Sequence, residues 1–422
     1  MSSTPEWRAL SSDVELLRRL AERKVEVAND PVNLDRRRLW YALDADRGER
    51  PMVLAESWVA FEDLPASACV CQEEWARKLE KDLRFEIWQF EEVRDDHVVE
   101  PWLNVTWRVD VSDFGIASKH EYADRVSGNV SSCRWDPPIK DIERDFEKLR
   151  PRTYSVDREY TLAWKAHLDA VFDGILKTRI RGGFYWTTGL TQAFIDLVGL
   201  EQMMMYMCTA PEGVHRLMSF LQADCLRFID WLEKERLFSL NNENDYIGSG
   251  SMGYSRVLPQ PDWKEGDPVR TKDLWVLTES QETVGCSPDQ CEEFALSYYR
   301  AIVQRFGRVY YGCCEPVHDR WHYVKTLPNL KRVSISPWCD QAFMAEALGR
   351  DYVFSRKPIP TLVSTPEFNE DLIRADLRCT LTTARNCNVE LLLKDVHTLC
   401  GEPERIARWV RIARDVIDEC AS

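Results

Sequence analysis

The chain has 422 residues, 44% of them hydrophobic, enough for one large barrel of about 250 residues with insertions or for two smaller domains. Its 55 basic and 70 acidic side chains leave a net charge of −15, which disfavours nucleic-acid binding because a phosphate backbone needs a basic footprint. Arg37, Arg38, Lys78 and Lys81 are each answered by nearby acids and form no basic stripe.

The chain opens Met1-Ser2-Ser3-Thr4-Pro5-Glu6-Trp7, with no basic segment leading into an apolar run, so no secretory leader is expected. No uninterrupted run of about 18 apolar residues follows, so no membrane span is expected either. Residues 11 to about 45 read as a helical extension, with Leu16, Leu17, Leu20 and Ala21 on one stripe. Residues 1–50 are assigned to that extension and 51–422 to the main domain. Pro51 to Ala55 reads as a first buried strand, and residues 60–150 as an irregular insertion. Ile180 to Phe184 reads as another strand, and Pro211 to Leu232 as an amphipathic helix. The glycines at 248, 250 and 253 fit no phosphate-binding pattern and read as a flexible loop.

From there short apolar strands alternate with helices. Leu274 to Leu277, Arg308 to Tyr311, Val333 to Ser336, Tyr352 to Ser355 and Val389 to Leu393 are the strands. Ser287-Pro288-Asp289-Gln290 is a helix start, with serine capping, proline in the first turn and glutamine completing a capping box. The last helix opens at Pro403. This cadence predicts a parallel sheet covered by helices, and periodicity alone does not separate a closed barrel from an open sheet. The 14 cysteines are too sparse for a disulfide scaffold, so most are expected to be reduced, buried hydrophobes in a cytoplasmic protein.

The Ser287-Pro288-Asp289 helix start, the strand ending in Cys313-Cys314-Glu315, the late Ser355-Arg356-Lys357-Pro358-Ile359-Pro360 and the turn containing Gly189 occur in one order. In that order the chain resembles the uroporphyrinogen decarboxylase superfamily over roughly residues 175–420. The resemblance implies a TIM (β/α)₈ barrel with its pocket at the carboxyl ends of the strands. Where the decarboxylases carry an arginine-rich loop, this chain has Glu56, Glu62 and Asp63 and no arginine, which argues against a substrate with many carboxylates. The corrinoid-dependent methyltransferase branches are closer in character. They imply zinc, a small methylated substrate such as a methyl ether or methylamine, and cobalamin supplied by a separate corrinoid protein; a homodimer is compatible with this. The histidine of their His-x-Cys pattern is absent here. A metal-assisted decarboxylase or lyase drawing on Arg179, Arg181 or Arg356, and a non-catalytic barrel binding a corrinoid or a partner, are the alternatives.

Site candidates come from the strand ends, which converge in a barrel. Cys313, Cys314, His397 and His318 are the candidate metal ligands. Cys314 is slightly preferred as the cysteine facing the pocket, and His318 reads equally as a loop histidine. Asp395 and Glu315 are candidates to orient those ligands. Glu243, Asp245, Glu279 and Glu282 follow strands at spacings that suit general acid–base work, or loop stabilisation. Trp58, Phe61, Phe184 and Trp186 would clamp a donor by stacking or cation–π attraction, unless they are core. Asn241 and Lys394 complete the substrate-binding set.

Overall fold

A computed structural model describes residues 7–122 and 133–421. The Met1–Glu6 start, and residues 123–132 of the stretch read as an insertion, lie outside the described residues. Two helices come first, α1 (Ser11–Ala28) and α2 (Pro31–Asp44). Pro31 divides the helical extension in two: it has no N–H to continue a helix, and Asp30 caps the new one by accepting from Val32 N.

Eight parallel strands follow: β1 (Met52–Ala55), β2 (Trp102–Val105), β3 (Lys177–Ile180), β4 (Trp275–Thr278), β5 (Arg308–Tyr311), β6 (Leu330–Ile335), β7 (Val353–Arg356) and β8 (Asn388–Leu393). Six form one continuous ladder in the order β1-β8-β7-β6-β5-β4, and β2 pairs with β3. Sequential parallel neighbours with helices between them make a (β/α)₈ barrel preceded by N-terminal helices. Within residues 60–150 lie α3 (Glu74–Trp88) and the barrel strand β2, so that stretch is more regular than its sequence suggests.

Both free edges of the main ladder are met by residues outside the β2–β3 ladder, through backbone as well as side chains: Val53 O accepts from Asp96 N at 2.7 Å and Leu277 O from Thr188 N at 2.9 Å. On the free edge of β1, the Asp96 carboxylate accepts from Val53 N at 2.7 Å and Asp95 from Ala55 N at 3.0 Å. On the free edge of β4, the Asn241 amide accepts from Trp275 N at 2.9 Å and donates to Trp275 O at 3.0 Å. These contacts satisfy buried edge groups that would otherwise be orphaned.

Strand residues alternate between two apolar layers, as the period of two requires. Val53, Val276, Val309, Tyr311, Val333, Phe354, Leu391 and Leu393 pack outward in the main helix-covered core. Met52, Leu54, Val353 and Leu392 belong to a separate inner cluster with Met252, and Trp275, Leu277 and Tyr310 to another with Ile247. The inner clusters reveal what fills the barrel. Residues 246–253, read from the sequence as a flexible loop, form a buried hairpin plug. Ser251 Oγ donates to Glu390 Oε2 at 2.9 Å, Arg332 donates to Met252 O at 2.8 Å, and Trp275 Nε1 donates to Gly253 O at 2.9 Å. All 14 cysteines are free thiols. No helix among the described residues is long and apolar enough to cross a membrane.

Candidate functional site

The inward positions of the strands are known from the inner clusters, and counting on by two gives the side chains that reach the carboxyl mouth. From Met52 and Leu54 the next is Glu56; from Trp275 and Leu277, Glu279; from Val353, through Ser355, Lys357; from Glu390 and Leu392, Lys394. Two cavities open here on either side of Tyr246. One, of about 450 Å³, is lined by Glu56, Trp58, Val59, His97, Lys394, Asp395 and His397 with an apolar floor of Leu54, Met252 and Leu392. The other, of about 320 Å³, is lined by Arg181, Phe184, Tyr185, Trp186, Asn241 and Asp245.

Lys394 is 8% exposed, with Nζ 3.6 Å from Asp395 Oδ1. Burial alone would push its ammonium toward neutrality, but Cys313, Glu56 and Asp395 outweigh this and hold its pKa above the ordinary lysine value. Asp395 is fixed in a left-handed turn (φ 60°), and its backbone N–H donates to Glu56 Oε2 at 3.0 Å. The sulfurs of Cys313 and Cys314 are 3.5 Å apart, Cys313 buried and Cys314 exposed. The hydrogen bond from Cys314, helped by Lys394, brings the Cys313 thiol down to about 7, while the same contact pushes Cys314 far up. Cys314 Sγ lies 3.9 Å from Asp395 Oδ2. Neither cysteine lines either cavity; Cys314 is the more exposed of the two and Cys313 the more acidic thiol.

Lys357, quoted in the sequence pattern but given no role, is buried beside this group. Its Nζ donates to Ser355 Oγ at 2.8 Å and to the Tyr310 hydroxyl, and burial pushes its pKa down to about 7. His97 was not singled out at all; the acidic run Asp95-Asp96-His97 ahead of β2 is the signal that marks it. Its Nδ1 lies 2.6 Å from Asp95 Oδ2.

The remaining candidates separate by their partners. Glu243 and Asp245 are consumed by ion pairs: Glu243 with Arg179 at 2.9 Å and Arg181 at 3.4 Å, Asp245 with Arg181 Nε at 2.7 Å. Neither is a free base. Arg179 also binds Glu100, and Arg356 binds Asp376 at 3.1 Å, so the arginines that a lyase would need for a carboxylate are occupied. Glu279 and Glu282 are buried, and their carboxyls are pushed up first of all by burial. Glu282 accepts from Thr191 Oγ1 at 2.6 Å, and Glu279 is pressed against Gly189. Glu315 shapes the loop, accepting from Ser280 N at 3.0 Å and Cys313 N at 2.8 Å.

Phe61 is fully buried against Phe85 and Trp88 and belongs to the core, not to a binding surface. Trp58 lines the larger cavity and stacks on Phe85 at 3.9 Å; Phe184 and Trp186 line the smaller one. Asn241 borders that cavity, but its amide is spent on β4. His318 is not a ligand: its Nδ1 accepts from Asp340 N at 3.2 Å, at the start of the helix Gln341–Leu348. His397 is exposed on the rim of the larger cavity, where the accompanying acids are Glu56 and Asp395. The expectation of zinc is overturned, because among the described residues no three His, Cys, Asp or Glu side chains come together as a metal-holding group. With His318 accepting from Asp340 N and His397 on the cavity rim, the candidate ligands Cys313, Cys314, His397 and His318 do not gather at one point.

No protein-family model matches the sequence, and comparison with curated proteins finds no match. Among solved structures, a methyltransferase from Methanosarcina mazei is similar in fold, with a TM-score of 0.51 and 13% identity, over 91% of this chain and 98% of that one. The likeness is one of fold.

Proposed function

We propose that this chain is a methyltransferase that moves a methyl group between a small methylated donor and the cobalt of a separate corrinoid protein. The observation that carries the reading is Lys394, a charged ammonium in an aromatic and apolar cavity at the barrel's carboxyl face. A methyl ether, the donor this cavity suits, loses its methyl with the bonding electrons left on oxygen. An ammonium fixed beside that atom offsets the charge that develops there, and does so without reorganising at the moment of reaction. Glu56 and Asp395 keep the ammonium charged and aimed. Trp58 and Val59 supply the apolar wall for the donor's carbon skeleton. The partner's cobalt supplies the nucleophile that accepts the methyl group, and the exposed rim at Cys314 and His397 leaves room for a protein to approach. The fold likeness to a methyltransferase is compatible with this chemistry.

The test mixes the purified protein with reduced corrinoid proteins encoded near it and a panel of methyl ethers and methylamines, following methylcobalt by absorbance. Methylcobalt should form, and Lys394→Met should slow it by about 100-fold, the scale of losing one preorganised donor. Carbon dioxide release from a carboxylated substrate, with no methylcobalt from any partner, would overturn the reading.

A further inference from the structure

The larger cavity contains a second built device, on the side of Asp95 and His97. Asp95 is fully buried, and its carboxylate is tied to the barrel edge by accepting from Ala55 N at 3.0 Å and from His97 N at 3.1 Å. The same carboxylate lies 2.6 Å from His97 Nδ1 and accepts from it when Nδ1 carries the proton; the Gln89 amide, 2.7 Å from the same ring nitrogen, then turns its oxygen and not its N–H toward it. The imidazole is therefore held through one nitrogen by a group that does not move. Its other nitrogen, Nε2, has no hydrogen-bond partner among the described residues, and the ring lines the cavity with Lys394. A half-buried histidine with one nitrogen clamped by a buried carboxylate and the other open to a cavity has the geometry of an oriented acid–base group.

We propose that His97 is the proton-transferring residue of this cavity and that Asp95 is its positioning residue; the inference rests on the methyl-transfer reading and adds the proton to it. When the donor is a methyl ether, the C–O bond breaks and its electron pair stays on oxygen. Nε2–H of the imidazolium gives its proton to that oxygen, and solvent returns one to Nε2. Asp95 accepts from Nδ1–H throughout and stabilises the imidazolium. Lys394 and His97 thus divide the work: Lys394 holds charge, His97 moves a proton. The charged and titratable groups around His97 are Asp95, the buried Arg36, which donates to the His97 backbone oxygen at 3.2 Å, and the cavity residues Glu56, Lys394, Asp395, His397 and Tyr246.

Two measurements test this, one independent of turnover. In protein labelled with ¹⁵N-histidine, the neutral His97 ring should carry its proton on Nδ1, and Asp95→Asn should release it to a tautomer mixture. Titration with phenol and 2-methoxyphenol should shift the His97 Nε2 signal, identified by its absence in His97→Gln. An Nε2–H tautomer, or an Nε2 signal that no compound in the panel moves, overturns the proposal. In turnover with the wild-type baseline established, His97→Gln should lower kcat by about 100-fold or more with KM little changed, the scale of a lost general acid. Retained rate overturns the role of His97. A wild type that forms no methylcobalt sinks the methyl-transfer reading instead, and the tautomer and ligand-shift readouts then decide His97 alone.

Discussion

Glu279 has one carboxylate oxygen, Oε1, buried without a partner, while the other accepts from Gln281 N at 3.0 Å. Burial, with Glu282 and Glu315 nearby, raises its pKa well above 4.5. A carboxyl whose folded pKa is raised binds its proton more tightly in the folded state, so the folded state loses ground as pH climbs from about 4.5 toward the raised value. Glu279→Gln removes the ionisation and keeps the shape. Its melting temperature should exceed that of wild type at pH 8, with the difference shrinking toward pH 5; parallel melting curves across that range would refute the argument. Residues of this kind show how far the sequence goes. That Glu279 follows β4 was legible, because strand ends can be counted, whereas Glu243 and Asp245 follow no strand. What each acid does was not, because the partner decides it: Arg179 and Arg181 neutralise Glu243 and Asp245 from a strand more than sixty positions earlier. No local spacing encodes that meeting.

Local elements were legible where their chemistry is local. The capping box at Ser287 forms as read, with Ser287 Oγ accepting from Gln290 N at 3.2 Å and Gln290 Oε1 from Ser287 N at 3.1 Å. β5 is Arg308–Tyr311, as its apolar run indicates. The hairpin plug was not legible, because a glycine-rich segment looks the same whether it hangs in solvent or slides into a barrel. Its glycines are explained by their surroundings. Gly250 has φ 94°, which strains residues with a Cβ. At Gly248 a Cβ would lie 2.7 Å from the Tyr310 ring, and that ring is pinned through its hydroxyl to Ser355 Oγ at 2.7 Å. Gly248→Ala should therefore overpack the interior and cost about 1–3 kcal/mol. Urea denaturation should show a lower midpoint with an unchanged slope; a midpoint equal to wild type would mean that the plug yields.

At the scale of the whole molecule, the open side of the ladder is closed by a seam that gathers distant parts of the chain onto Asp96. This fully buried carboxylate accepts from Val53 N, receives Arg50 through two bonds of 2.8 Å, and receives Arg414 of the last helix at 2.7 and 3.0 Å. Trp40 of α2 joins the cluster by donating its indole N–H to Asp96 O at 2.8 Å. Helix α2, the first strand and the C-terminal helix Arg405–Ala421 are thus fastened at one point, which the sequence could not show because Asp96 and Arg414 are 318 positions apart. Burial alone would raise the Asp96 pKa, but the hydrogen bonds and charges of Arg50 and Arg414 outweigh it and bring the value to about 2. A depressed carboxyl stabilises the fold above its unfolded pKa of 3.8, and that contribution is lost as pH falls toward 2. The shift corresponds to about 2 kcal/mol. Asp96→Asn leaves two arginines facing an uncharged amide, a change on the scale of about 3 kcal/mol for a broken buried pair. Chemical denaturation at pH 7 should show that loss, and the gap from wild type should narrow as pH is lowered from 4 toward 2. A gap that stayed constant with pH would place the stabilising role of Asp96 in its shape and not its charge.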